Sequence, residues 1–143
     1  MDEHNLSKFY FDGYIINNIE FDFNSQFDNE GDILELDFNL DYSVKIDEEE
    51  NHKGSTQLRI KIWEDAYNNN YPFKLSVEII GFFSADKEMD KKKFAEMCES
   101  NGTAILFPFL RSVITDITKN ANVTPLVMPL INVENFIKDK NNS

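Results

Sequence analysis

Groups that could carry a reaction are few in this chain of 143 residues, and they lie far apart. His4 sits in a polar N-terminal stretch, and His52 falls in the acidic run Asp47-Glu-Glu-Glu-Asn-His-Lys-Gly54. Both positions read as exposed, with no setting for catalysis. One cysteine and two separated histidines are too few soft ligands for a zinc site. Cys98 falls on an expected helix, where it reads as a small buried hydrophobe rather than a nucleophile. The chain has no G-x-S-x-G, no phosphate-binding loop and no dinucleotide fingerprint.

Carboxylates are plentiful, so acid–base work by a carboxylate pair is the chemistry that composition allows. The clusters at 47–50 and 28–37 fall on positions expected to be exposed, where burial tunes no pKa. Asp28-Asn-Glu-Gly31 has a faint calcium-loop character, with Gln26 first and Asp37 last if Gly31 takes the sixth place. Its flanks read as strands rather than helices, which argues against calcium. The expectation is a protein without catalytic residue, metal or cofactor, and not an enzyme.

Apolar and aromatic side chains are the abundant resource, and 13 of the aromatics are Phe. From Leu34 to Ile46 every even position is apolar: Leu34, Leu36, Phe38, Leu40, Tyr42, Val44 and Ile46. The odd positions between them are polar or charged. This period of two predicts one long strand over 34–46 with a wet face and an apolar face. A weaker alternation through Ile15, Ile19, Phe21 and Phe23 predicts a strand before it. The polar run ending at Gly54 reads as a turn into a third strand over 56–67, with Leu58, Ile60 and Ile62 on one face and Arg59, Lys61 and Trp63 on the other. A fourth strand carries Phe73, Leu75, Val77 and Ile79. Trp63, Ile80 and Phe82 are expected opposite the regular stripe, as for a face that packs under helices, meets another subunit or lines a groove.

Beyond Ser84 the period changes. A short amphipathic helix is expected over 86–100, a break at Asn101-Gly102, and a second helix over 104–118 on Leu106, Phe109, Leu110, Val113, Ile114 and Ile117. Pro108 suits the first turn of that helix. Pro125 and Pro129 keep 120–132 from regular helix, and 133–138 reads as a last helical turn. Four strands and then helices predict an α+β single domain over 1–143, a four-stranded antiparallel sheet with helices packed on one face.

Charge is uneven. Residues 1–72 hold 17 acids and 5 bases, a net of −12, whereas 73–143 are neutral with 9 of each. An acidic half repels nucleic acid and anionic lipid. The first residues, MDEHNLSK, lack the basic and apolar regions of a signal peptide, and no apolar run is long enough for a membrane span. The expected location is the cytoplasm, with no nucleic acid and no membrane insertion.

The stretch Asn101-Gly-Thr-Ala-Ile-Leu-Phe-Pro-Phe-Leu-Arg111 resembles the signature of the SecB family of bacterial protein-export chaperones. Pro125-Leu-Val-Met-Pro-Leu-Ile-Asn-Val133 is similar to that family's proline-rich segment, Gly81-Phe-Phe-Ser84 to the end of its fourth strand, and Ile19-Glu-Phe-Asp22 to its first strand. The resemblance implies a dimer of dimers with helices held between the sheets, which makes Leu106, Phe109 and Val113 candidates for the oligomer interface. It implies holdase activity: apolar grooves keep precursors unfolded for Sec-dependent export, and SecA collects them. Leu34, Leu36 and Phe38 match strand positions that line the family's groove, and Trp63 joins them as a client-binding candidate from its own aromatic character. Asp22 keeps one of the acids that dock SecA. Lys74 and Ser76 stand where the family has a Leu-x-Glu pair, and Leu130 replaces the second Pro of Pro-Pro-x-Asn. A chaperone dedicated to one client such as an antitoxin is the narrower alternative, and a small apolar-ligand-binding module is another.

Overall fold

The structure is a computed structural model that describes residues 8–29 and 33–142; His4 and Gly31 lie outside the described residues. Four strands form one antiparallel sheet: β1 (Phe9–Phe23), β2 (Phe38–Ile46), β3 (Lys53–Ile62) and β4 (Phe73–Ala85). A short helical turn, α1 (Ala66–Asn69), precedes β4, and the helices α2 (Lys91–Asn120) and α3 (Val133–Asn141) follow it. The fold is the expected α+β arrangement.

The strand order is β1-β4-β3-β2. Strands β2, β3 and β4 follow one another as antiparallel neighbours, from Phe38 opposite Ile62 to Ile46 opposite Gly54, and from Ile62 opposite Leu75 to Lys53 opposite Ser84. β1 instead pairs with β4, from Phe9 opposite Ala85 to Phe23 opposite Phe73. The two edges are therefore β1 and β2, and the chain from Asn24 to Asp37 must cross the sheet's end, about 14 Å for three strand spacings. That crossing brings residues 33–37 beside the end of β3.

Several boundaries depart from the sequence expectation, each for a visible reason. The long alternation from Leu34 is strand only from Phe38, because β3 ends at Ile62 and offers 33–37 no further ladder. β3 stops before 67 because Trp63 has φ 52°, a left-handed backbone that turns the chain out of the sheet. Its indole is thereby buried instead of standing on the face with Arg59 and Lys61. In β1 the register shifts between Ile16 and Asn18, so Ile15 lies opposite Ile80 whereas Ile19 lies opposite Val77. A bulge reverses the face of every later side chain, which is why the alternation in β1 looks weak.

The two helices expected over 86–118 are one helix of 30 residues. Gly102 is a contact rather than a break: a Cβ there would stand 2.5 Å from Thr56 Oγ1 and 3.2 Å from the Phe83 ring. Only a glycine lets the helix come this close to the sheet. Pro108 lies inside the helix, on its exposed side, where the carbonyl of Ala104 that loses its donor faces water. Phe94, Cys98, Leu106, Leu110 and Ile114 point from α2 into the core against Leu58, Ile60, Val77 and Ile79. α2 covers β2, β3 and β4 and leaves most of β1 outside its cover.

Candidate functional site

An apolar cleft of about 400 Å³ opens at the end of the sheet where the crossing segment, the end of β3 and the segment after α2 converge. Phe27, Leu34, Leu36, Trp63, Phe73, Val123 and Leu126 line it. Its floor is an aromatic cluster. The Trp63 ring stacks on Tyr71 at 5.2 Å between centroids and meets Phe73 edge-on at 4.9 Å. The indole N–H donates to the Glu35 carbonyl, and the backbone N–H of Trp63 donates to the Asp37 carbonyl, both at 2.9 Å. One residue therefore supplies the floor and fixes the wall that carries Leu34 and Leu36.

The crossing segment is tied down at its other end as well. The buried Asn24 side chain donates to the carbonyls of Ala66 and Tyr71, and its oxygen accepts from the Gln26 N–H. Asp28 and Asn70 exchange two bonds of 2.9 Å. On the same segments Ile33, Val127 and Leu130 are strongly exposed. Asp28, Glu35, Asp37, Glu64 and Asp65 are exposed on the same segments, and residues 24–37, 62–73 and 121–132 contain no Lys or Arg. The rim is acidic on the crossing segment and after β3, and uncharged on the segment after α2.

The structure thus brings three of the four client-binding candidates, Leu34, Leu36 and Trp63, into one cleft. Phe38 is elsewhere. It lines a separate shallow groove of about 430 Å³ with Leu40, Ile131 and Phe136, between β2 and α3. Tyr42 and Phe136 close that groove edge to face, and Lys140 pairs with Asp41 at 2.9 Å. Val123, Leu126, Phe27 and Phe73 escaped the sequence reading as lining residues. The apolar run around Pro125 was visible, but which surface it would meet was not.

A second apolar surface follows β1. Phe11, Tyr14, Ile19 and Phe23 share the helix side of the sheet and are exposed, because α2 covers little of this edge strand. Phe109 of α2 touches this row, with its ring 4.6 Å from Tyr14 and 5.9 Å from Phe11. Phe109 and the half-buried Val113 remain on or near the surface, but Leu106 does not. Its side chain is fully buried under Gly81, where a Cβ would stand 2.6 Å from it, so Leu106 is core and cannot meet another subunit.

Among the described residues, Cys98 and Glu78 are the buried titratable side chains, and His52 is half-buried. Burial raises the Cys98 thiol to about 11, which leaves it protonated at neutral pH. His52 is tied at 2.6 Å to the Met89 carbonyl and lies against the Phe94 ring. Glu78, in mid-strand on the outer face, is enclosed by Asn17, Gln57 and Arg59. Burial pushes its carboxyl up, but hydrogen bonds from Arg59 and Asn17, the Arg59 charge and Gln57 together outweigh this and hold it below the ordinary Glu value. Among the described residues no group of His, Cys, Asp and Glu could hold a metal ion. No helix among them is long and apolar enough to cross a membrane. Asp22 is exposed on the outer face and has Lys74 as its cross-strand partner, 4.0 Å away.

The family described as preprotein translocase subunit SecB matches residues 18–143, a span that includes the whole cleft. The chain belongs to the SecB family. A protein of Methanocaldococcus jannaschii, the uncharacterised MJ0357, is 38% identical over 125 residues, which cover 86% of this chain and 78% of that one. Among solved structures, the Mycobacterium tuberculosis SecB-like chaperone Rv1957, in complex with a ChAD peptide from the antitoxin HigA1, aligns with a TM-score of 0.71. It shares 14% identity and covers 87% of this chain and 91% of its own. A Streptococcus agalactiae protein of unknown function aligns with a TM-score of 0.51 at 12% identity, over 87% of this chain and 98% of its own. At such identities the two structures speak for the fold, and the SecB-family assignment of this chain rests on the sequence matches.

Proposed function

We propose that this SecB-family chain is a cytoplasmic holdase that takes apolar stretches of unfolded polypeptide into the cleft at Trp63. The observation that carries the reading is the cleft itself, preformed, aromatic-floored and open, with exposed apolar side chains on the segments that line it. Burial is non-directional, so such a cleft holds many sequences. A client Leu or Phe contributes about 1.5–3 kcal/mol at most, so useful affinity needs several sites on one particle. The exposed row Phe11, Tyr14, Ile19 and Phe23, continued by Phe109, supports self-association towards a dimer of dimers that would supply them. The acidic rim favours client segments flanked by Lys or Arg. No catalytic step belongs to this reading.

The test is aggregation of a slowly refolding client followed by light scattering. The wild-type protein delays it at stoichiometric amounts, and Leu34→Glu, which places a carboxylate in the apolar wall, loses the delay while staying folded. Equal protection by both proteins removes the cleft from the reading, and no protection by either removes the holdase. The single tryptophan lines the cleft, so its emission reports client binding directly.

Whether the clients are exported precursors handed to SecA or one dedicated protein turns on the outer face. Lys74 beside Asp22 and the neutral Ser76 weaken the acidic patch that a SecA dock requires. This favours the dedicated client as the second reading, and the similar M. tuberculosis chaperone is the one solved with an antitoxin peptide. Titration against SecA beside a generic unfolded client separates the two: SecA binding at submicromolar affinity supports export, and its loss with the client retained supports the private task.

A further inference from the structure

The cleft wall made by Val123, Pro125 and Leu126 belongs to a segment with no regular secondary structure, yet its backbone is held at consecutive points by side chains of α2. The Leu126 N–H donates to Thr118 Oγ1 at 2.9 Å. Thr115 Oγ1 donates to the Leu126 carbonyl at 2.9 Å, with the Arg111 carbonyl a longer alternative at 3.2 Å. Arg111 donates through Nε and Nη2 to the Met128 carbonyl at 2.9 and 2.7 Å. Residues 111, 115 and 118 follow i, i+4, i+7 spacing and so share one face of the helix. They satisfy both polar groups of Leu126 and the carbonyl two residues on, as a neighbouring strand would. Pro125 and Pro129 bracket this stretch and lack the N–H groups a sheet would require. The fully buried Met128 side chain pins it from below.

We infer that Arg111, Thr115 and Thr118 form a clasp that presets the client cleft by fixing Leu126 in its wall, which makes them positioning residues rather than client contacts. The inference rests on the cleft being the client site. A wall left loose would have to be ordered by each client, and fixing one residue's backbone corresponds to about a tenfold loss of affinity. Among the described residues nothing else holds the two polar groups of Leu126. The clasp also gives the Arg that ends the helix motif a task away from the client: its guanidinium spends two donors on one carbonyl.

The experiment titrates reduced, carboxymethylated ribonuclease A, a client without tryptophan, into the full-length protein and follows Trp63 emission at 20 °C, with folding checked by far-ultraviolet circular dichroism. Thr115→Val removes the donor to Leu126 at a half-buried site and keeps the side chain's shape; it should bind about tenfold more weakly. Thr115→Ser restores the hydroxyl and should bind within about twofold of wild type, a rescue that a purely steric role of the methyl would not give. Thr118→Val repeats the test at the buried end, and Thr115→Val decides the matter if that variant does not fold. Acrylamide should quench Trp63 more readily in the unliganded Val variants than in wild type. Wild-type affinity in Thr115→Val, with binding lost in Leu34→Glu, overturns the clasp and leaves the cleft standing. Unchanged binding in Leu34→Glu overturns both.

Discussion

Gly102→Ala has two opposite expected signs, depending on whether this glycine interrupts α2 or seats it. For an ordinary helix interior, Ala stabilises by about 1 kcal/mol over Gly. Here the new Cβ would stand 2.5 Å from Thr56 Oγ1, well inside any real contact. Thr56 is fully buried, and its hydroxyl donates to the Cys98 carbonyl at 2.6 Å. Turning it away strands a buried hydroxyl, a loss of about 1–3 kcal/mol. Pushing the helix off Phe83 instead adds overpacking strain of about 1–3 kcal/mol. Offset by the propensity gain, the net loss is about 1 kcal/mol. With a urea slope near 2 kcal/mol/M, the unfolding midpoint falls by about 0.5 M. The assay is urea unfolding followed by circular dichroism, with both proteins at one concentration so that any self-association enters both alike. A midpoint equal to or above that of wild type refutes the close seating of α2 on β3 and returns Gly102 to the role of a helix interruption.

Further expectations follow from single groups. Glu78 has its native pKa held below the ordinary 4.5, so its contribution is complete above that value and is lost as pH falls through the lowered native one; Glu78→Gln should flatten the acid limb of stability below 4.5, and an unchanged limb contradicts the enclosure by Arg59 and Asn17. Asp86, held low first by the Lys8 backbone N–H and then by Tyr10, adds to the same limb with the same sign. Cys98, fully buried and with its thiol raised to about 11, should resist iodoacetamide in the native protein and react on unfolding in urea; rapid native labelling would contradict its place under α2. The acidic rim predicts that an apolar peptide flanked by Lys binds more weakly as salt rises from 50 to 500 mM, whereas the same peptide flanked by Glu binds poorly at all salt concentrations; equal affinities measured through Trp63 emission would remove the rim from specificity.

Period and motif were enough to place most elements. The alternation over Phe38–Ile46 and the stripe Phe73, Leu75, Val77 and Ile79 became strands facing the core, and the three-four spacing beyond Ala104 became helix, because burial on one face leaves a repeat that needs no partner to be read. The helix motif and the proline-rich segment identified the family. Where a boundary depended on what lay across a contact, the sequence misled. Gly102 resembles a breaker until Thr56 stands against it, Leu106 resembles an interface residue until Gly81 lets it sink, and Trp63 resembles a surface aromatic until its left-handed backbone turns it inward. The cleft is of this kind. Leu34, Leu36 and Trp63 could be named singly, but their union with Val123 and Leu126 depends on β1 pairing with β4, which sends the chain across the sheet's end and brings three distant segments together. A chain's periodicity records which faces are dry; which dry faces meet, and which stay open for a client, is decided only when long-range pairing closes the fold.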